Sequence, residues 1–434
     1  MEGTMPATKT NAAYGDKTNM VQQAVGLFAT HMQRNSTLNR LTGKMPKGTA
    51  GANATLRKQT TQHMPIVRCQ DLGKGRGDEV TFHLLNPVGA KPIMGSRYAE
   101  GRGTGISLTE DKLRVDQARF PLDLGNAMTS IRSPVEFRAV GRPIAQNLMD
   151  RYVDQSLLVH MAGARGFHNN IEWVVPTTAD ADFADIMVNP VKAPTKNRHF
   201  IVDADAVTGF KVSGGEVDIT TTDIFKMDTV DSMRTVLDQI PLPPPIVKFE
   251  GDKAADDSPL RVWMVSPAQY NKFAADPSFR QLQASAMARA NQAGQHPLFL
   301  GEAGLWNGFL IIKMPRAIRF YAGDEIKYCA SHTSEAESSV LVPASFSTTH
   351  AIDRSIILGG QAVAEALASS DKSGIPFFWS EKELDHGDKA ELLIGAIRGV
   401  SKVRFEVDTG EGKQLTDYGV TIVDTAVPII GERM

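Results

Sequence analysis

Gly73-Lys74-Gly75-Arg76-Gly77 alternates glycines with two cations just ahead of the apolar residues Val80, Phe82 and Leu84. Such a composition suits a loop that cradles phosphate. A phosphate loop of the form G-x-x-x-x-G-K-[ST], however, joins a strand to a helix whose first amides face the anion. No Ser or Thr follows Lys74, no strand is expected before it, and a strand follows. The stretch therefore reads as glycines that let the chain swing into a hairpin. Asp180, Asp182 and Asp185, and separately Asp203 and Asp205, offer carboxylates to a hard cation, which takes six or more oxygens. Neither set has the spacing of a calcium loop, and both read as solvated turns. His386, beside Asp385 and Asp388, is a lone loop histidine. There is no G-x-S-x-G and no H-E-x-x-H, and neither Cys69 nor Cys329 has an activating histidine near it in sequence. The expectation is a protein without a catalytic, cofactor-binding or metal site, and not an enzyme.

The elements around these residues follow from their periodicity. From Asp78, Val80, Phe82 and Leu84 alternate with Thr81 and His83, which predicts a strand. A return strand is predicted over Lys112 to Leu124. Leu113 and Val115 share one phase and Ala118, Phe120, Leu122 and Leu124 the other, a slip that predicts a bulge. Between the strands lie Gly89, Gly95, Gly101, Gly103 and Gly105 among Lys91, Arg97, Glu100 and Arg102. This is too long for a tight turn and too polar for a core, so it reads as a protruding charged hairpin tip.

Ser133-Pro134-Val135-Glu136 then combines an N-cap serine, a proline at the first helical position and a glutamate at the third. The apolar stripe Phe137, Val140, Ile144, Leu148, Tyr152 and Val159 follows, with Gly163 and Gly166 as stops. The predicted helix, 134–163, is about 45 Å long, with a kink expected at Gly141 and Pro143. Residues 167–225 read as irregular loops with short strands. Beyond Ile224 a mixed pattern begins with the extended run Pro241-Leu242-Pro243-Pro244-Pro245. A buried strand is predicted at Arg261 to Val265, then a helix from Ser266-Pro267 through Ala290. Strands at Gly308 to Met314 and Ser355 to Leu358, helices at Gln361 to Ala368 and Lys389 to Gly399, and a strand at Ser401 to Val407 complete the expectation.

Of the 434 residues 42% are hydrophobic, enough for one large core or two moderate ones. The net charge of −2 conceals an uneven distribution. Residues 1–60 carry Lys9, Lys17, Arg34, Arg40, Lys44, Lys47, Arg57 and Lys58 against Glu2 and Asp16, which leaves the remainder acidic. A basic arm on a weakly acidic body suits a polyanion or an acidic neighbour, yet is too dilute for sequence-reading of nucleic acid. Within the arm Met20, Ala24, Leu27, Phe28 and His31 repeat at helical spacing, followed by Leu38, Leu41 and the linker KMPKGTAGANAT. Two cysteines without a CxxC fit a reducing compartment and no structural zinc. The N-terminus lacks the apolar core of a secretory signal, and no run approaches the ~18 apolar residues of a membrane span.

Six blocks in order carry a resemblance. They are Phe120 to Asn126 with AMTSIRSP, the helix ending LLVHMAG, NPVKAPTKNRHF, HPLFLGEAGLWNGFLIIKMPRAI, RSIILGGQAVAEAL, and WSEKELDHGD with IGAIRGVSKVRF. Over residues 20–408 the chain resembles the major capsid proteins of bacteriophages related to the podophage N4. The resemblance implies the α+β tailed-phage major capsid fold of the Hong Kong 97 type (HK97-like). Carried over, the N-terminal arm is 1–67, an extended hairpin loop 68–124, and the peripheral domain with its spine helix 125–225. An axial domain follows at 226–375, and 376–434 returns to the peripheral domain and a tail. The implied function is self-assembly, as hexamers and pentamers, into an icosahedral capsid that encloses the phage DNA. Implied partners are other copies of the chain, portal, scaffolding and decoration proteins, and double-stranded DNA contacted without sequence specificity, with no membrane. Lys91, Arg97, Glu100 and Arg102 would make inter-subunit contacts, and Lys44, Lys47, Arg57 and Lys58 would face the lumen. Assembly in a host bacterial cytoplasm and residence in the virion follow. The competing readings are a metal- or nucleotide-dependent hydrolase using the aspartate sets or the glycine stretch, and a decoration or portal protein.

Overall fold

Strands far apart in the chain meet in two sheets, so neither sheet is legible as one stretch of sequence. The computed structural model describes residues 38, 41–42, 63–72, 78–85, 92–103, 105, 108–126, 137–166, 173–212, 219–240, 242–249, 260–281, 304–346, 349–368, 376–384, 386, 388–408 and 413–429. The first half holds β1 (Ile66–Leu72), β2 (Glu79–Leu85), β3 (Leu108–Arg114), β4 (Asp116–Asn126), helix α1 (Phe137–Ala162), the short α2 (Phe183–Met187), β5 (His199–Val202), β6 (Phe210–Val212) and α3 (Met227–Gln239). Then come β7 (Arg261–Val265), α4 (Pro267–Ala274), β8 (Gly304–Trp306), β9 (Phe309–Lys313), β10 (Ile318–Phe320), β11 (Glu325–Cys329) and β12 (Glu337–Leu341). The chain ends with β13 (His350–Leu358), β14 (Val363–Ala368), β15 (Phe377–Leu384), β16 (Lys389–Lys402), β17 (Arg404–Asp408), β18 (Lys413–Asp417) and β19 (Val420–Pro428).

The five-stranded sheet is organised around β16. Antiparallel β4 runs along one edge of it, β15 and then β14 along the other, and β1 closes the sheet parallel to β14. Period-two alternation turns Leu392, Ile394 and Ala396 toward α1, together with Phe120 and Leu122 of β4. Phe120 meets Tyr152 edge to face with ring centroids 5.8 Å apart. The second sheet has the order β6-β5-β19-β13-β7-β9-β8, with β10 also on β13. Its central strands are apolar on both faces because both faces are covered. Val262, Met264, Ile356 and Ile422 join the core shared with α1, while Trp263, Val265, Ile357 and Val423 join a second core under α3 and α4. α4 starts as its sequence predicts: Ser266 Oγ accepts from Gln269 N at 3.2 Å and Gln269 Oε1 accepts from Ser266 N at 2.7 Å.

Several expectations are corrected. The segments read as helices at Gln361 to Ala368 and Lys389 to Gly399 are the strands β14 and β16. Their Ala, Glu and Leu favour helix, but tertiary packing overrides that weak preference: β14 is held between β1 and β16, and β16 between β4 and the β14–β15 edge. The strand read over Ser401 to Val407 is divided, since β16 ends at Lys402 and β17 begins at Arg404. α4 stops at Ala274, because Asp276 precedes Pro277 and a residue before proline leaves the helical region. A further helical stretch begins at 277 and is described to 281. The spine helix α1 spans 26 residues, about 39 Å, and the Ser133 cap lies outside the described residues. Ile144, read as part of its buried stripe, is 48% exposed; the buried row is Ala145, Met149, Tyr152, Val153 and Leu157. Gly163 stops the helix with φ +63°, and a Cβ there would lie 2.5 Å from the Lys192 carbonyl oxygen. The arm is seated at its inner end, since Leu38 and Leu41 are buried in the main core and Thr42 bridges Ile66 in parallel. The stripe at 20–31 lies outside the described residues.

Candidate assembly interface

β2 and β3 form a separate two-stranded ribbon, in register from Glu79 opposite Arg114 to Leu85 opposite Leu108. The predicted slip near Val115 is a change of sheet rather than a bulge: β3 pairs β2, and after Val115 the same chain pairs β16 as β4. The ribbon's base is clamped. Val115 N donates to Asp78 O at 2.8 Å, and Leu113 and Val115 bury themselves against Ala364 and Ala366. Asn189 brackets Arg114, its Oδ1 accepting from Arg114 N at 2.9 Å and its Nδ2 donating to Arg114 O at 2.8 Å. Lys192 Nζ pairs with Asp111 at 3.0 Å. Gly399 of β16 lets the strands touch, since a Cβ there would lie 1.9 Å from Arg114 O.

The far end is bare by comparison. Residues 92–103 are exposed throughout, including Arg97, Glu100 and Arg102, while Lys91 falls outside the described residues. Among the charges stand Ile93, Met94 at 72% and Tyr98 at 83% exposure. The sequence reading noticed the charges and overlooked these three; apolar residues in a loop with no core to join were the available signal. Single exposed apolar residues are ordinary; three within the exposed stretch 93–98 make it a candidate contact surface.

The other singled-out residues form no common site. A strand does precede the glycine stretch in the chain, namely β1, contrary to expectation, and a strand, β2, follows it rather than a helix. Gly73–Gly77 lie outside the described residues, as do Lys44, Lys47, Arg57, Lys58 and Asp385. Asp180 Oδ1 accepts from Asp182 N at 2.9 Å in an exposed turn, and Asp203 Oδ1 from Asp205 N at 3.0 Å. The Lys211 ammonium bonded to Asp203 holds that carboxyl below its ordinary range. His386 is exposed with φ +54°. Among the described residues no three metal-ligating side chains converge. Cys69 and Cys329 are separate buried thiols, and burial raises Cys329.

Sequence reading missed three buried ionic joints. Arg354 of β13 grips Asp424 of β19 at 2.9 and 2.8 Å, and its Nη1 donates to Ala162 O at the end of α1 at 3.1 Å. Arg398 of β16 pairs with Glu365 of β14 and donates to Ser156 of α1 at 2.9 Å, while Arg68 of β1 takes the other Glu365 oxygen. Lys402 and Arg404 share Asp417, at 2.6 and 2.8 Å. Burial drives Lys402 down to about 8 against the pull of Asp417. Burial also pushes Asp417 upward, but Lys402 and Arg404 outweigh it and keep that carboxyl below its ordinary range. Charges inside an otherwise apolar strand, such as Asp353 and Arg354 in AIDRSIIL or Asp424 in VTIVDTAV, were the signal for such joints.

A long helix laid on one sheet, a second sheet sharing its core and a projecting ribbon together make the Hong Kong 97-type capsid fold. A family model described as phage capsid protein matches residues 11–429, and the chain belongs to that family. It is similar to the capsid of Ralstonia phage GP4 at 20% identity, over 86% of this chain and 90% of that one, with a TM-score of 0.62. It is similar to the capsid asymmetric unit of cyanophage Pam1 at 12% identity, over 91% and 98% of the two chains, with a TM-score of 0.56. The capsid of Helicobacter pylori bacteriophage KHP30 matches at 12% identity, over 96% and 99%, with a TM-score of 0.53. No curated protein matches the sequence. As a phage capsid protein the chain is a structural, non-enzymatic component of the virion shell and assembles with copies of itself, which sets the hydrolase reading aside.

Proposed function

We propose that the chain builds an icosahedral shell of hexamers and pentamers around packaged double-stranded DNA, within the N4-related podophage group. The six ordered sequence blocks support the subgroup. The exposed tip of the β2–β3 ribbon carries the assembly reading: Ile93, Met94 and Tyr98 stand exposed, and Arg97, Glu100 and Arg102, close to them in sequence, are exposed as well. An apolar centre with a polar rim is what a contact between copies presents. The tip lies over a neighbouring subunit, with Lys91 contributing to the same contact.

In this reading the arm is 1–67 and the hairpin loop 68–124. The peripheral domain, 125–225 with 376–434, is centred on α1 and the five-stranded sheet. The axial domain, 226–375, is centred on the eight-stranded sheet, which also draws β5, β6 and β19 from outside that range. Lys44, Lys47, Arg57 and Lys58 face the lumen and meet DNA or an acidic scaffold; portal and decoration proteins are further partners, and assembly takes place in the host bacterial cytoplasm. Charge reversal at those four positions impairs filling more at low salt than at 1 M, where the Debye length is ~3 Å.

The decisive experiment replaces residues 90–104 by an Asn-Gly turn. Soluble protein with native circular dichroism that forms no closed shells is the expected result. Normal particles, or an unfolded aggregate, would sink the proposal.

A further inference from the structure

Two histidines flank the last turn of α1, and both are built so that they cannot accept a second proton. His160, on α1 itself, is 1% exposed, and its Nε2 lies 3.3 Å from Met187 O, so Nε2 carries the hydrogen and donates. Its Nδ1 is buried and has no hydrogen-bond partner. Three cations act on it, Arg398 and Lys402 from β16 and Lys192 from the loop after α2, each paired in turn with a carboxylate, Glu365, Asp417 and Asp111. His199, on β5, is fully buried and directs Nε2 to Asp424 of β19 at 2.7 Å. The carboxylate fixes the hydrogen on Nε2 here too, and again Nδ1 is buried without a partner. Arg354 of β13 lies 3.4 Å from the same ring, Lys402 adds a second cation, and the Tyr328 ring of β11 is 6.5 Å away. Burial outweighs the pull of Asp424 on His199, and Arg354 already grips both oxygens of that carboxylate. Arg354 also donates to Ala162 O, so the His199 cluster and the end of α1 form one assembly.

A proton placed on either Nδ1 would create a buried charged N–H with no acceptor. An orphaned charged donor of this kind is strongly disfavoured. The proton is instead taken up in an opened state, where the ring reaches water. We propose that the C-terminal end of α1 is an acid-released joint, in which uptake of protons by His160 and His199 unseats the last turns of the helix from the eight-stranded sheet and from the Met187 turn. Burial lowers both rings, His160 to about 3, which agrees with the geometry.

The sign follows from linkage. With the folded value depressed, the joint keeps its full stability above the ordinary histidine value of about 6.5 and loses it progressively as pH falls below that. His160, held at about 3, multiplies the local opening constant by about 30-fold at pH 5, and His199 acts in the same direction. The rest of α1, held through Tyr152 and Met149, has no such dependence from these two groups.

Amide exchange of the full-length protein between pH 7.5 and 5, corrected for the intrinsic rate, tests this. Residues 156–163 should lose protection by roughly 30-fold or more while residues 145–153 keep theirs. His160→Gln retains an N–H for Met187 O but has no proton to gain, and should remove about 30-fold of the acid effect; His199→Gln should reduce it further in the same direction. An unchanged acid dependence in both folded variants, or no loss of protection in the wild type, overturns the proposal. Should a variant fail to fold, deuterium exchange at the imidazole C2 positions of the wild type decides. Both rings are expected to stay neutral until the joint opens, and ordinary titration near pH 6.5 with protection intact would refute the idea.

Discussion

The tip of the β2–β3 ribbon and the end of α1 use the same residue types in opposite ways. At the helix end every residue from Gln155 to Gly163 is buried, and charges enter only in matched groups such as Arg354 with Asp424. At the tip Met94 and Tyr98 stand in water beside unburied Arg97 and Glu100. Burial is therefore concentrated at one region, and the exposed apolar residues proposed for contact between copies lie at the other. Mutations should separate the two functions cleanly.

The largest stability effect is expected from Arg354→Ala. It leaves Asp424 buried without its main partner and Ala162 O without a donor, and breaking a buried pair in this way costs on the order of 3–5 kcal/mol. Urea unfolding of the soluble protein measures the loss. Replacing both residues, Arg354→Leu with Asp424→Leu, should recover a large part of it, and a double variant no better than the single would refute the pairing argument. Next comes Gly399→Ala. Its Cβ collides with backbone rather than with a flexible side chain, so overpacking of about 1–3 kcal/mol is expected, with exchange rising first at Arg114 and Val115.

The tip should give the reverse pattern. Serine at Ile93, Met94 and Tyr98 together should shift monomer unfolding by no more than ~0.5 kcal/mol per site and still abolish closed shells in electron micrographs. A destabilised monomer would mean that the tip packs within its own chain. The smallest effect is expected from Asp182→Asn with His386→Ala, both exposed, where particle yield should stay at the wild-type level. A marked drop would reveal a role that neither side chain's surroundings suggest.

The ribbon, the spine helix and the start of α4 were legible because each rests on local signals. Alternation marks Val80 to Leu84, glycine at a left-handed position ends α1, and Ser266-Pro267 with Gln269 caps α4. β14 and β16 were misread because Ala, Glu and Leu carry a local preference that only long-range pairing overturns, and Lys402 meets Val363 from 39 residues away in sequence. The ionic joints were illegible for the same reason. Nothing near Asp424 in sequence announces Arg354 or His199. At the tip the charges were visible, but the weight of Ile93, Met94 and Tyr98 emerges only once exposure shows that no core receives them.

The passage from β3 to β4 has a mechanical consequence. Only Val115 separates the strand that builds the ribbon from the strand that lines β16, so Leu108 to Asn126 runs as extended chain, about 60 Å of it if fully straight. The bracket of Asn189 and the close approach at Gly399 remove the slack that a hinge at this point would need. A push on the far end of the ribbon is thus carried along the covalent backbone to β4, the edge strand paired with β16. It arrives there as torque on β16 and on the helix lying across it. The ribbon is mounted on the sheet as a lever on its pivot, with Arg114 as the clamped point.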